Sequence, residues 1–327
     1  METKKKTYKK YDSFETIIFN DDLDQFNILN NINEKLKNYD KKKFNNFENG
    51  ILENIIKDLF EKSEKKGKFK LSDYVLRELK TLEEKDTLDY LIHRYRYEIF
   101  PQLNKLHDFP PYLQIEPSSI CNYRCVFCYQ TDNFFNKKSQ GHMGKMNYEM
   151  FKNIVDQAEG NVQFLSLASR GEPLLCPDID KMLDYTRDKF YNLKINTNAY
   201  NLNEKLAHTI LKSGVKTLVF SVDAADKKLY EKLRVHGKFE KVYDNIKRFI
   251  EIKNKHYSNS KIITRVSGVK VSDDQKLDEM TNLWSGLVDQ IAFVNFIPWV
   301  DTYNDEINNI KAPCSDLWRR MFIWWDG

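Results

Sequence analysis

After Pro111 the chain alternates short apolar segments with amphipathic ones, and that alternation limits the fold more than any other feature. Candidate strands are Leu113–Glu116, Val162–Ala168, Leu193–Thr197, Thr217–Val222, Ile262–Val269 and Gln290–Phe296. Between them lie helices with legible ends. One starts after Asn147, carries Phe151, Ile154, Val155 and Ala158, and stops at Gly160; a second is opened by Pro177 and Asp178. A third runs from Asn203 to Gly214, Asp226 caps a fourth, a longer one spans Val242 to Ile252, and the last carries Leu277, Met280 and Trp284 before Gly286. Six strands, each followed by a helix except the last, predict an α/β fold with a parallel sheet: an incomplete (β/α) barrel or an open doubly wound sheet.

The residues before Phe109-Pro110-Pro111 differ in texture. Residues 1–110 are highly charged, with helical spacing of Ile51, Ile55, Ile56, Leu59 and Phe60 and two further amphipathic stretches around Leu76, Leu79, Leu82 and Leu88, Leu91, Ile92. They are expected to form a helical extension packed as a layer, with Glu64 to Lys68 as an exposed connection. Basic and acidic residues nearly cancel, 52 against 48, so the chain lacks the basic footprint of a dedicated nucleic-acid binder. No run of about 18 apolar residues exists to span a membrane, and Met1 to Tyr11 is polar rather than a signal peptide. A cytoplasmic location is expected, where five cysteines are ligands or buried thiols rather than disulfides.

Three of those cysteines, Cys121, Cys125 and Cys128, fall within eight residues directly after the first strand. Three thiolates on one loop can each take one iron of a cubane cluster, leaving the fourth iron open. On the cysteines alone a zinc site remains open, with Cys176, Cys314 or His142 as the fourth ligand.

The Cys-x3-Cys-x2-Cys spacing, with Phe127 before the last cysteine, resembles the signature of the radical SAM superfamily. The resemblance runs over about residues 111–300. Ser169-Arg170-Gly171-Glu172-Pro173 follows the second strand and looks like the family's G-G-E-P motif with Arg170 in the first glycine place; Asn196-Thr197-Asn198 and Ser221-Val222-Asp223 end the third and fourth strands. This implies a partial (β/α)6 TIM-like barrel over 111–300 that binds a [4Fe-4S] cluster and S-adenosyl-L-methionine. The resemblance assigns the cluster to the three cysteines, the amine of S-adenosylmethionine to Glu172, and the adenine site to Phe127. It assigns the ribose or carboxylate to Ser221 and Arg265, with Gly171 and Asn198 completing the pocket. Reduced flavodoxin or ferredoxin would supply one electron, the sulfonium would be cleaved, and the 5′-deoxyadenosyl radical would take hydrogen from a substrate. Relatives suggest a peptide or protein substrate. The rival readings are a non-catalytic Fe–S or zinc-binding interaction module, and a radical SAM enzyme acting on a sugar, small metabolite or nucleic acid.

Residue alternation supports a polar centre: Lys194, Asn196 and Asn198 share one strand face, Ser221 and Asp223 another, Arg265 and Ser267 a third. Residues 301–327, with Pro313-Cys314-Ser315-Asp316-Leu317-Trp318 and Trp324-Trp325-Asp326-Gly327, resemble the start of a SPASM domain cut short. On that resemblance the gene product is expected to continue past Gly327 into a cysteine-rich segment, because six strands alone leave a sheet edge uncovered and the tryptophan pair ends the sequence with no downstream partner. Cys314 then reads as a free thiol and Cys176 as structural.

Overall fold

A computed structural model describes residues 16–19, 22–61, 68–296 and 314–327. The chain divides into two compact units: among described residues, 22–112 with 314–321, and 16–19 with 113–296 and 322–327. The expected connection Glu64 to Lys68 lies outside the described residues except for Lys68, and so does Met1 to Tyr11.

The first unit is helical. It contains α1 (Gln25–Asn38), α2 (Asn46–Phe60), α3 (Asp73–Thr81) and α4 (Thr87–Ile99). Asn45 starts α2 through a reciprocal capping box with Glu48, and Ser72 caps α3. The periodic residues Ile51, Ile55, Leu76, Leu79, Leu91 and Ile92 form its core. Its buried acid, Glu78, accepts hydrogen bonds from the hydroxyls of Tyr74 (2.7 Å) and Tyr90 (2.5 Å), so the carboxylate is satisfied within the helices.

The second unit is built on a sheet. Its strands are β1 (Thr16–Phe19), β2 (Tyr112–Ile115), β4 (Phe164–Leu167), β5 (Asn192–Thr197), β6 (Val215–Ser221), β8 (Ile263–Lys270), β9 (Gln290–Asn295) and β10 (Arg320–Ile323). Two-residue β3 (Arg124–Cys125) and β7 (Arg234–Val235) form a separate ribbon. The sheet order is β1-β9-β8-β6-β5-β4-β2-β10, and the pairs β4–β5, β5–β6, β6–β8 and β8–β9 are parallel. This is the α/β arrangement of a partial TIM-like barrel, and all six expected strands are present. The helices between them are short α5 (Asn133–Asn136), then α6 (Tyr148–Ala158), α7 (Ile179–Tyr185), α8 (Glu204–Lys212), α9 (Lys227–Leu233), α10 (Phe239–His256) and α11 (Leu277–Trp284). Asn147, Asn203 and Asp226 cap α6, α8 and α9 as their positions predict, and Gly160 and Gly214 take the left-handed conformation that ends the helices before them. A last turn of helix, α12 (Asp316–Arg319), precedes β10.

Two expectations are corrected. The residues before 110 are not helical throughout, because β1 pairs antiparallel with β9, Thr16 opposite Phe293. Nor does the six-stranded core have bare edges: β1 covers β9, and β10 covers β2, with Glu116 N–H donating to the Ile323 carbonyl at 2.9 Å. Both strands are distant in sequence from the edges they cover, so local periodicity could not reveal them.

The outer sheet face packs on the helices. Phe220 of β6 meets Phe249 of α10 edge-on, with ring centres 5.8 Å apart, and both are fully buried. Phe249→Ala should remove about 3–5 kcal/mol of stability, read as a lower urea midpoint of the circular dichroism transition. A midpoint within error of the parent would mean that this contact does not hold α10 to the sheet.

Candidate active site at the cysteine loop

The loop that follows β2 is built from backbone contacts with two other segments. The first is the Arg170-Gly171-Glu172 turn after β4. A Cβ at Gly171 would stand 2.2 Å from the Ser118 carbonyl oxygen and 2.6 Å from that of Ile120. Gly171 is therefore needed because the cysteine loop's own backbone lies against it, not because it adopts a special φ. Glu172 N–H donates to the Ile120 carbonyl at 3.0 Å. Buried Gln130 ties the two segments by donating to the carbonyls of Ser119 (2.6 Å) and Arg170 (2.8 Å).

The second segment is β7. Arg124 pairs with Val235 and Cys125 with Arg234, and Val126 N–H donates to the Leu233 carbonyl at 2.9 Å. The chain leaves β7 through His236 at φ +72° and Gly237, where a Cβ would stand 2.7 Å from the Arg234 carbonyl.

Held this way, Cys125 is buried and Cys121 and Cys128 are half-buried, close enough that each thiol's charge is felt by at least one of the others. Burial pushes the Cys121 thiol up to about 12 and Cys125 up to about 11, and it raises Cys128 as well. Such thiols keep their protons at neutral pH unless a metal takes the proton's place. Among the described residues no three His, Cys, Asp or Glu side chains converge on a single ion position. A cubane distributes its thiolates over different irons and needs no such convergence. Of the other zinc candidates, Cys176 lies in the core 3.9 Å from the Met182 sulfur, the His142 ring packs tilted against Phe134 and Phe135, and Cys314 is exposed.

Beside the loop stand Glu172 and Asn198, two of the residues singled out from the sequence. Glu172 is buried, and its carboxylate accepts from Thr197 Oγ1 (2.6 Å), Asn198 N (2.7 Å) and Leu174 N (3.2 Å). Burial raises its pKa, and these hydrogen bonds work against that rise. Of about four lone-pair directions on a carboxylate, three are used within the chain, so one remains for a donor on a ligand. Asn198 Nδ2 donates to Asn122 Oδ1 at 2.8 Å and lies 3.9 Å from Cys121 Sγ. Asn122 Nδ2 and Asn196 Oδ1 are buried without a hydrogen-bond partner among the described residues, as expected where a polar ligand completes the bonding. Ser221 ends β6 opposite Ser267 of β8. Arg265 is the third residue of β8, and its guanidinium donates to Gln290 Oε1 at 2.8 and 2.5 Å.

Three features escaped sequence reading. Arg234 lies 3.8 Å from Cys125 Sγ and 5.7 Å from the centre of the Phe127 ring, paired with buried Asp223. Only Asp223, an acid just past a strand end, hinted at a cation, and nothing in the sequence said which one. Arg170, whose presence in a glycine position left the path of the turn open, does not itself take a positive φ; the preceding Ser169 does, at +151°. Its guanidinium grips Glu116 through two nitrogens (2.6–3.2 Å) and lies 3.9 Å above the Trp324 ring centre. Trp325 packs where a Gly144 Cβ would be, its indole donating to the His142 carbonyl at 3.1 Å. The tryptophan pair therefore has partners earlier in this chain.

Gly171→Ala should displace Ser118 to Ile120 and with them Cys121. Iron bound after anaerobic reconstitution should fall below half of the parent's, while far-ultraviolet circular dichroism stays the same. Full iron loading in that variant would show that the loop does not depend on this contact.

The comparisons with known proteins agree with this geometry. The family model described as "Radical SAM superfamily" matches residues 115–283. The GTP 3′,8-cyclase of Clostridium botulinum is 26% identical over 194 residues, covering 57% of this chain and 56% of that protein. The mycofactocin maturase MftC of Mycobacterium ulcerans is 25% identical over 132 residues, 40% of this chain and 34% of that one. The chain thus spans about half or less of the length of these curated relatives. In fold it is similar to Streptococcus suis SuiB bound to S-adenosylmethionine, with a TM-score of 0.52 and 18% identity over 74% of this chain and 62% of that one. With that family model spanning more than half of its length across the cysteine loop and the Gly171-Glu172 turn, the chain belongs to the radical SAM superfamily, whose enzymes use a [4Fe-4S] cluster and S-adenosylmethionine.

Proposed function

We propose that this protein cleaves S-adenosylmethionine reductively and uses the resulting radical on a peptide or protein. The observation that carries the first part is the seating of Cys121, Cys125 and Cys128 on one clamped loop beside Glu172 and Asn198. These three thiolates would hold the cluster. Bound together, cluster and cofactor supply a 5′-deoxyadenosyl radical that abstracts hydrogen.

The chain's own residues bind and orient. Glu172 offers its remaining lone pair to the cofactor's amine, and Asn196 and Asn122 offer buried polar atoms to the same pocket. Ser221 lies at the C-terminal end of its strand, where reactive groups gather in βα barrels. Phe127 closes the loop side next to the Arg234 guanidinium. Arg265, engaged with Gln290, braces β8 against β9 below the pocket. Reduced flavodoxin or ferredoxin is the proposed electron donor. Among the described residues no helix is long and apolar enough to cross a membrane, and the proposed place of action is the reducing cytoplasm.

Support for a peptide comes from likeness. MftC is named a maturase, and SuiB has a structure with its precursor peptide SuiA, to which this chain is similar with a TM-score of 0.51 and 17% identity. A second reading, a nucleotide substrate, is favoured by the longer match to GTP 3′,8-cyclase.

After anaerobic reconstitution and reduction, the protein should release 5′-deoxyadenosine, and the Cys121→Ala/Cys125→Ala/Cys128→Ala variant should bind no stoichiometric iron and release none. Retained iron and sulfide in that variant would overturn the ligand assignment. Deuterium carried from a labelled peptide encoded beside the gene into 5′-deoxyadenosine would support the peptide reading; deuterium taken only from labelled GTP would replace it with the second. Glu172→Gln should weaken S-adenosylmethionine binding at least tenfold, because its amide turns a donor towards the backbone N–H or hydroxyl it once accepted from. Unchanged affinity at unchanged iron content would move the amine site elsewhere.

A further inference from the structure

Beside the cysteine loop lies a buried ion pair between Arg234 and Asp223. Arg234 Nε lies 2.5 Å from Asp223 Oδ2; Asp223 is fully buried, and Arg234 is 7% exposed. The other oxygen of Asp223 accepts from Val269 N–H at 2.7 Å, which fixes the carboxylate at the top of β8. The Arg234 backbone is fixed by its pairing with Cys125 and by the tight turn at His236 and Gly237. One terminal nitrogen of its guanidinium reaches to 3.8 Å from Cys125 Sγ, which is hydrogen-bonding distance for sulfur.

Stability alone is a poor reason for such a pair. Two charges brought out of water cost several kcal/mol each, and apolar replacements of buried pairs are often neutral or stabilising. What the pair does provide is a permanent positive charge at one sulfur and a negative charge one step behind it. A guanidinium stays charged at any physiological pH. The potential of an iron–sulfur cluster depends on the charge and hydrogen bonding at its sulfurs. The reduced cluster carries one more negative charge than the oxidised one, so a nearby cation favours reduction and a nearby anion opposes it.

We infer that Arg234 is a positioning residue that raises the reduction potential of the cluster through Cys125, and that Asp223 sets how much of that charge the cluster feels. This rests on the proposed role of Cys125 as a ligand. It makes electron uptake from the donor depend on a side chain 109 positions from the cysteine it touches.

The test uses the full chain reconstituted with iron and sulfide: parent, Arg234→Lys, Arg234→Gln, Asp223→Asn, and the double variant Arg234→Gln/Asp223→Asn. Iron and sulfide content and the midpoint potential, from redox titration followed by electron paramagnetic resonance, are measured without S-adenosylmethionine. Arg234→Gln should lower the midpoint, Asp223→Asn should raise it, the double variant should fall between them, and Arg234→Lys should stay near the parent. Unchanged midpoints in loaded single variants would overturn the inference, as would shifts of both in the same direction, which is what a merely structural role produces. If Arg234→Gln fails to load, Asp223→Asn decides: a raised midpoint sustains the inference and an unchanged or lowered one ends it. Stoichiometric cluster in Cys125→Ala would instead mean that the ligand assignment itself is wrong.

Discussion

The close approach of the Ser118–Ile120 backbone to Gly171 is the contact on which the site depends. Within the cysteine loop Tyr123 is fully buried, edge-on to Tyr200, but the thiols themselves repel one another once ionised. The loop's position is imposed by neighbouring backbone on both sides, the glycine turn on one and the Arg234–Val235 ribbon on the other. Backbone-to-backbone contacts suit this task because they fix the path of the chain rather than the tip of a flexible side chain. Gln130, which bridges the carbonyls of Ser119 and Arg170, and the amide of Glu172 complete the clamp. Glu172 then couples this turn to the end of β5 through Thr197 and Asn198. One acidic side chain thus connects the cysteine loop, the glycine turn and a strand end.

The second unit also places buried charge with care. Glu116 answers Arg170, and Asp223 answers Arg234. Removing either partner would leave a buried charge uncompensated, which is far more damaging than replacing both. Each pair lies beside the cysteine loop rather than in the apolar core, where Leu165, Ile195, Leu218 and Val266 are fully buried. The Arg170 pair adds a further link, because Trp324 stacks on the guanidinium and so joins the last residues of the chain to the turn that carries Gly171. An arginine in a glycine position is tolerated here for two reasons: its φ is not positive, and the positive φ of this turn is taken by Ser169 instead.

Arg265 illustrates how position along a strand changes a side chain's surroundings. Alternation puts it on the same face as Ser267, which pairs with Ser221 at the strand end. Two residues of strand amount to about 7 Å, enough to move a side chain from the mouth of the barrel to its interior. There the guanidinium meets Gln290, a neutral partner that can accept but not neutralise it.

The sequence by itself determined the six core strands, the helices between them, their caps and the grouping of three thiols after the first strand. These are local properties: periodicity, capping side chains and turn glycines act within a few residues of chain. It also pointed to Gly171 and Glu172, through resemblance rather than geometry. Tertiary structure alone decided which residues surround the thiols. Arg234 reaches Cys125 across 109 positions, Trp324 reaches Arg170 across 154, and β1 and β10 cover edges formed more than 200 residues away. No local pattern encodes such contacts, because they arise only when the sheet order has brought distant strand ends to one side of the barrel.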